Sequence, residues 1–124
     1  MTARFKDLAL DAVDHQALAD WWCAALGYRR REPPTGWSPR PADWAVPLYD
    51  PEGLGPLLWI TPLREARPER GNRLRVDVWG HAEELVELGA TLVRRGDHER
   101  DWDVLADPEG NEFCVFPPKR RPLG

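Results

Sequence analysis

The sequence LYDPEG at residues 48–53 returns as LADPEG at residues 105–110, with five of the six residues identical. Asp-Pro-x-Gly is a turn signature, because Asp bonds its own backbone, Pro fixes the next φ and Gly accepts a positive φ. Each turn joins an incoming strand, at 44–49 and 102–106, to an outgoing strand, at 57–61 and 112–116. The two copies therefore predict two β-hairpins at corresponding points of the chain.

The segments before each hairpin also correspond. Apolar and other residues alternate over 5–13 and 73–79, which predicts a strand with one apolar face. A helix follows in each half: the first starts after the N-cap Asp14 and ends at Gly27, and the second covers 82–88 and ends at Gly89. Short arginine-bearing strands at 28–31 and 91–95 complete the series. The chain thus reads as βαβββ twice, at a period of about 60 residues, which indicates duplication.

The repeat sets the predicted organisation of a single domain covering residues 1–124. Module one is placed at 4–62, a linker at 63–72, module two at 73–117 and a tail at 118–124. Two stretches lie outside the repeat: the tail, and a Pro/Gly-rich loop at 33–43 that carries Trp37. Both are expected to be mobile.

Composition limits the functional classes. The chain has 124 residues, of which 42% are apolar and 31% charged, with a net charge of −4, so nucleic acid is a poor partner. No apolar run approaches the ~20 residues of a membrane span, and residues 1–7 lack the apolar segment of a secretory signal. Two cysteines without such a signal favour reduced thiols and a cytoplasmic location. The excess of Arg over Lys is typical of a high-GC bacterium.

Several segments resemble the glyoxalase-like domains of the vicinal oxygen chelate superfamily, which includes the bleomycin-resistance proteins. They are DHQALADWWCAALGY at 14–28, NRLRVDV at 72–78, LGAT at 88–91 and DPEGNEFCV at 107–115. The resemblance implies an α+β fold in which tandem βαβββ modules form a cupped eight-stranded mixed sheet. It places two main helices on the convex side and a ligand cavity on the concave side. Metal-dependent relatives place four ligands there, His or Gln on the first strands of the modules and Glu on the last.

Aligning the two halves with each other puts Asp7, Trp59, Arg75 and Cys114 at those four positions. Arg only donates hydrogen bonds and Trp offers no usable lone pair. Two potential ligands remain, whereas a catalytic metal needs about three protein ligands, and a nearby guanidinium repels a cation. We therefore predict that the chain holds no metal and no other cofactor.

The residues that replace the ligands have two interpretations. Asp7 and Arg75 are predicted to face each other across the cavity floor, where they form an ion pair, with Asp11 or Asp77 nearby, that only neutralises itself. Alternatively, Arg75 keeps donors for a carboxylate, phosphate or carbonyl of a ligand. The sequence leaves both open.

Aromatic residues also fall on the cavity face, where they either wall a flat ligand or fill a small cup. Cys114 is interpreted as a buried thiol or, less commonly, a nucleophile, and Trp37 as a cavity lid or a locally packed side chain. The predicted ligand-binding residues are Asp7, Asp11, Trp59, Arg75, Asp77, Trp79, Cys114 and Phe116.

The leading hypothesis is a metal-independent protein that binds a small planar or anionic organic ligand, as antibiotic-sequestering relatives do, and that forms a homodimer. The rival hypothesis is a lyase, isomerase or dehydratase, with Asp7, Asp11 or Asp77 as base and Arg75 as electrostatic stabiliser. A third is a structural module whose cavity is closed by side chains. The sequence names neither the ligand nor a catalytic residue.

Overall fold

A computed structural model describes residues 6–63 and 75–118 of the chain. The chain divides into two compact units, Met1–Ala66 and Arg67–Gly124, called here the first and the second unit. Within the described residues, each unit contains one helix and four strands in the order βαβββ. The first unit consists of β1 (Leu8–Ala12), α1 (His15–Leu26), β2 (Arg29–Arg30), β3 (Val46–Tyr49) and β4 (Leu58–Pro62). The second consists of β5 (Val76–Trp79), α2 (Ala82–Leu88), β6 (Thr91–Arg94), β7 (Asp103–Ala106) and β8 (Glu112–Phe116).

The two sheets have the same topology. Strands follow the order β1-β4-β3-β2 in the first unit and β5-β8-β7-β6 in the second. In each, the first and last strands of the unit pair in parallel, and the other neighbours pair antiparallel. The predicted tandem βαβββ architecture of the α+β class is confirmed, with its eight strands divided between two mixed four-stranded sheets.

Helix α1 is well fixed at both ends and along its inner face. The Asp14 carboxylate accepts a hydrogen bond from the Ala17 N–H, which satisfies a free donor of the first turn, and Gly27 closes the helix at φ 70°. Leu18 and Trp22 are buried at 2% and 1% exposure. The two residues are four positions apart and so lie on one face of the helix. The same unit also buries Leu48 and Ile60. This packing forms the core of the first unit.

Helix α2 is covered less well. Ala82 is its one buried residue, whereas Val86 and Leu88 are 43% and 42% exposed. The core of the second unit comes instead from its strands, where Leu105 and Phe113 are 0% and 1% exposed. The two helices thus occupy the same place in the topology, but α2 is less buried than α1.

The Asp-Pro-Glu-Gly turns have the predicted conformation. The Gly53 and Gly110 N–H groups donate to the carbonyls of Asp50 and Asp107, and both glycines have a positive φ, at 72° and 87°. Each Asp carboxylate also accepts hydrogen bonds from backbone N–H groups that follow it. Asp107 is 2% exposed and so lies deeper than its counterpart.

Several element boundaries are shorter than the alternation predicted. Strand β1 starts at Leu8 and β3 at Val46, because Trp44 is still held in a turn by its N–H bond to the Pro41 carbonyl. Strand β5 starts at Val76, and its predicted first residues at 73 and 74 lie outside the described residues. Apart from Leu63 and Pro118, the predicted linker and tail also lie outside them. No helix of the described chain is long and apolar enough to cross a membrane.

Candidate functional site

The parallel strand pair of the first unit fixes which side chains share a face. Leu8 lies opposite Leu58, Ala9 opposite Trp59 and Leu10 opposite Ile60. Because directly opposed residues project to the same side of a sheet, the apolar set including the buried Leu58 and Ile60 occupies one face. Asp7, Ala9, Asp11, Trp59 and Thr61 belong to the other. This is the alternation that the sequence predicts.

The second unit repeats the register step for step. Val76 lies opposite Phe113 and Asp77 opposite Cys114, as Leu8 and Ala9 lie opposite Leu58 and Trp59 in the first unit. Trp59 and Cys114 therefore hold equivalent positions, and so do Asp7 and Arg75, each one residue before a corresponding strand position. The internal alignment derived from the sequence is confirmed within each unit.

These positions do not fit a divalent cation. The first unit offers Asp7 and Trp59, and the second Arg75 and Cys114, so a permanent cation and an indole stand where metal ligands would be needed. Within residues 6–63 and 75–118, no three His, Cys, Asp or Glu side chains are grouped so that they could share a metal ion. No step of a mechanism is therefore assigned to a metal.

Asp7 is engaged inside its own unit. Its Oδ2 atom accepts a hydrogen bond from the Trp59 indole N–H at 2.8 Å and a charged one from the Lys6 ammonium at 2.7 Å. The Lys6 bond lowers the pKa of the Asp7 carboxyl, and the Trp59 bond acts in the same direction, while partial burial opposes them. The Lys6 nitrogen also lies 5.7 Å from the centre of the Trp59 ring, within cation–π range. Lys6 and Trp59 thus hold Asp7 ionised.

A pocket of about 810 Å³ opens in the first unit, on the face that carries Trp59. Its floor includes Asp11, whose carboxylate accepts a hydrogen bond from the Thr61 hydroxyl. Its wall comes from the loop before β3. The lining residues are Asp11, Arg40, Asp43, Trp44, Ala45, Trp59, Thr61, Pro62 and Leu63. Two of the eight predicted ligand-binding residues, Asp11 and Trp59, are therefore brought together here.

The loop supplies a tryptophan that the sequence argument did not select. Trp44 lines the pocket and is 59% exposed, whereas Trp37, the residue considered as a lid, is 73% exposed and is not among the lining residues. A signal for Trp44 exists in the sequence. It stands where an incoming strand was predicted to begin, next to Asp43, at the end of a proline-rich loop.

The start of α1 fixes the position of this loop. His15 Nε2 and Gln16 Nε2 both donate to the Ala42 carbonyl, at 2.9 and 3.0 Å. Gln16 is held in turn by Arg30, which donates to its Oε1 at 2.7 Å and to its carbonyl at 2.9 Å. Because Ala42 directly precedes the pocket residues Asp43 and Trp44, these bonds place the pocket wall.

Arg40, two residues before Ala42, joins this part of the loop to Arg31, where the loop begins. Its Nη1 donates to the Arg31 carbonyl at 2.7 Å, across nine residues of chain. The Arg30 guanidinium is anchored further by Asp20, at 2.9 Å. Two backbone carbonyls of the loop region, at Arg31 and Ala42, are therefore bonded to side chains.

In the second unit, Trp79 and Phe116 hold the strand positions that correspond to Asp11 and Thr61, and they belong to an aromatic cluster. The rings of Trp79 and Phe116, both predicted, meet edge to face with their centres 5.8 Å apart. Trp102, which the sequence argument did not select, stacks on Phe116 at 5.3 Å. Trp102 stands immediately before β7, much as Trp44 stands before β3. Trp79 remains 61% exposed.

The other predicted residues of the second unit differ in exposure. Arg75 and Asp77 are exposed, while Cys114 is buried at 6% exposure. Burial agrees with the interpretation of Cys114 as a buried thiol. The ion pair between Asp7 and Arg75 would join the two units, and it stays a prediction.

Comparison with known proteins identifies the class. The family model of the glyoxalase-like domain matches residues 7–116. The chain therefore belongs to the glyoxalase-like domain family, within the superfamily that the sequence resemblance indicated. Comparison with curated protein sequences gives no match.

Solved structures with the same fold include two fosfomycin resistance proteins. FosX from Mesorhizobium loti aligns with a TM-score of 0.66 and 10% identity, over 96% of this chain and 94% of that one. A variant of FosX from Listeria monocytogenes, in complex with Mn(II) and a dihydroxypropylphosphonic acid, gives 0.63 and 11%, over 96% and 93%. A glyoxalase/bleomycin resistance protein/dioxygenase family enzyme from Burkholderia phytofirmans PsJN gives 0.58 and 17%, over 87% and 93%. At these identities the likeness establishes the fold alone.

Proposed function

We propose that this chain is a metal-independent, small-molecule-binding member of the glyoxalase-like family, and that it holds a flat organic ligand in the pocket of the first unit. The observation that carries the proposal is the pairing of Trp44 and Trp59 around one pocket of about 810 Å³. That volume lies in the range of small-molecule sites. Indole rings offer large rigid surfaces on which a planar ligand packs at little entropic cost.

Metal independence is inferred from the chemistry of the side chains. In the first unit the indole N–H of Trp59 donates to Asp7. The indole has no lone pair for a cation, so the carboxylate of Asp7 is the one group of this pair that could bind a metal. In the second unit the corresponding pair is a guanidinium and a buried thiol. Neither half offers the two oxygen or nitrogen ligands that each module of a metal-dependent relative contributes.

Binding is favoured over acid–base catalysis by the state of Asp7. A general base works best with a pKa near the working pH, whereas the Lys6 and Trp59 contacts lower the pKa of Asp7 below its ordinary acidic value. A carboxylate so stabilised accepts a proton poorly. This argues against the lyase, isomerase or dehydratase hypothesis in the form that uses Asp7 as base.

The expected affinity is modest. Burying about 200 Å² of apolar ligand surface stabilises a complex by about 5 kcal/mol at 25 cal/mol per Å², before the cost of immobilising the ligand. A small probe with two fused rings is therefore expected to bind in the millimolar to high micromolar range. A natural ligand that fills the pocket more fully is expected to bind more tightly.

Isothermal titration with naphthylmethanol, an uncharged flat probe, tests the proposal on chelator-treated protein. Trp44→Ala is expected to weaken binding by about tenfold, because it removes one wall of the pocket. Trp37→Ala is the matched control, since it removes another exposed tryptophan of the same loop that does not line the pocket. Equal affinity of Trp44→Ala and Trp37→Ala for the probe would show that the probe does not bind in this pocket.

Metal independence has its own test in the same experiment. Adding Mn(II) or Zn(II) to the chelator-treated protein is expected to leave the affinity for the probe unchanged. A gain of tenfold or more, accompanied by stoichiometric metal uptake, would instead assign the chain to the metal-dependent branch of its superfamily.

A further inference from the structure

We infer that the first-unit pocket selects organic cations, that is, ligands that join a flat aromatic body to a protonated amine or a quaternary ammonium group. This inference rests on the proposed function and adds the charge of the ligand to it. The observation behind it is that two carboxylates and two indole rings surround the same pocket.

The charges around the pocket favour a positive ligand. Asp11 and Asp43 contribute two negative charges and Arg40 one positive charge. The nearby Asp7 carboxylate is neutralised by the Lys6 ammonium at 2.7 Å. The lining residues that the structure describes therefore carry a net charge of about −1, in a chain whose net charge is −4.

Arg40 is the one cation among the lining residues that the structure describes, and it is bonded within the protein. Arg40 donates through Nη1 to the Arg31 carbonyl, so part of its donor set holds the loop. Asp11, by contrast, takes its hydrogen bond from a neutral hydroxyl, that of Thr61. A carboxylate has several acceptor sites, so this bond leaves Asp11 able to receive a ligand N–H.

The aromatic walls act in the same direction. The face of an indole ring is electronegative and attracts cations within about 6 Å of its centre. Lys6 already occupies one such contact, with its nitrogen 5.7 Å from the centre of the Trp59 ring, so the cation of a ligand is assigned to the Trp44 ring. Trp44 adds a second indole to the pocket. Carboxylate and indole together match an aromatic amine better than they match an acid.

The sequence suggested an anionic ligand because of Arg75. That residue belongs to the second unit. An anion is accordingly one arm of the test.

Three probes with one ring system separate the possibilities: naphthylmethylammonium, naphthylmethanol and naphthoate. They are titrated into chelator-treated protein at pH 7 and low ionic strength. The ammonium probe is expected to bind about five- to tenfold more tightly than the alcohol, which corresponds to one or two weakly screened charge contacts. Naphthoate is expected to bind most weakly. Added salt is expected to weaken the ammonium probe alone, because it screens exposed charges.

Charge-removing variants locate the effect. Asp11→Asn and Asp43→Asn are each expected to weaken the ammonium probe by about three- to fivefold, and to weaken it more than they weaken naphthylmethanol. Glu87→Gln is the matched control, because it makes the same change in net charge at an exposed position of α2. It is expected to change neither affinity.

The outcomes distinguish this inference from the function it rests on. Equal binding of the ammonium and alcohol probes, or tightest binding of naphthoate, overturns the selection of cations and leaves a small-molecule site in place. An equal loss in Glu87→Gln and in the two Asp variants also overturns it, since the effect would then be one of net charge. Failure of all three probes to bind folded protein at millimolar concentration overturns the inference and the proposed function together.

Discussion

The two units have the same topology and the same strand register, but they differ in the side chains on the sheet face opposite the apolar core. In the first unit, Trp59 donates to Asp7 and lines a pocket. The second indole of that pocket, Trp44, lies in the loop that His15 and Gln16 hold at Ala42. In the second, the corresponding strand position holds a buried thiol, and the aromatic side chains of Trp79, Trp102 and Phe116 contact one another.

The comparison shows which positions the two units share and which they do not. Turn residues and core positions are repeated, because the same backbone needs the same conformations and the same apolar contacts. The opposite sheet face does not have this requirement. It lines a pocket in the first unit and carries an aromatic cluster in the second. Two predictions compare the units directly, and two concern the first unit alone.

Core substitutions in the two helices are expected to give the largest difference. Leu18→Ala in α1 removes a side chain that is 2% exposed and should lower the free energy of unfolding by about 2–5 kcal/mol. Leu85→Ala in α2 removes a half-buried side chain and should cost about 1 kcal/mol. Urea denaturation followed by circular dichroism measures both. A larger loss in Leu85→Ala would mean that α2 is covered better than its exposed Val86 indicates.

The two turn aspartates should differ less. Asp107→Ala is expected to cost about 2–3 kcal/mol, because Asp107 is 2% exposed and its loss leaves the Asn111 amide and backbone donors without their acceptor. Asp50→Ala, at the more open turn, is expected to cost about 1 kcal/mol. The same denaturation experiment ranks them, and equal costs would show that burial of the turn is unimportant.

The hydrogen bonds that hold the loop at Ala42 are expected to affect ligand affinity more than the free energy of unfolding. Gln16→Leu removes the bond to the Ala42 carbonyl and the acceptor of Arg30, so the pocket wall loses its anchor. Affinity for naphthylmethanol is expected to fall by about three- to fivefold, from roughly 1 kcal/mol of lost positioning. His15→Ala, which leaves the Gln16 bond in place, should have a smaller effect. Unchanged affinity in Gln16→Leu would mean that the loop needs no anchor.

The smallest effect is the pH dependence that Asp7 gives to the stability of the first unit. The pKa of Asp7 is lowered in the folded state by Lys6 first and by Trp59 as well, so folding gains stability from this group above its unfolded pKa, about 3.9. That contribution is lost as the pH falls through the lower folded value. Carboxyl NMR titration of the wild type and Lys6→Gln measures it, and the variant should bring the pKa of Asp7 closer to the ordinary value. An unchanged pKa in Lys6→Gln would remove Lys6 as the main cause.

Most of the fold could be predicted because its signals are local or repeated. The alternation around Leu10, the N-cap Asp14 and the paired Asp-Pro-Glu-Gly turns each specify one element, and the repeat then supplies the register. The same register places Asp7 and Trp59 on one face, where they form a hydrogen bond.

The pocket wall could not be predicted in this way. The bonds from His15 and Gln16 to Ala42 span 27 and 26 residues, and they join a helix start to a proline-rich loop without periodicity. No local pattern predicts such contacts, so the sequence alone does not distinguish Trp44 from Trp37 as the tryptophan that lines the pocket. The same holds for Trp102, whose stacking partner Phe116 lies on β8.

The most direct test of the central claim is an NMR titration of the tryptophan indole N–H groups with naphthylmethylammonium, using chelator-treated protein and signals assigned from single Trp→Phe variants. The account predicts that the signals of Trp44 and Trp59 shift together and saturate at one ligand per chain, without added metal. It would be contradicted if only Trp79 and Trp102 responded, or if any response required a divalent cation.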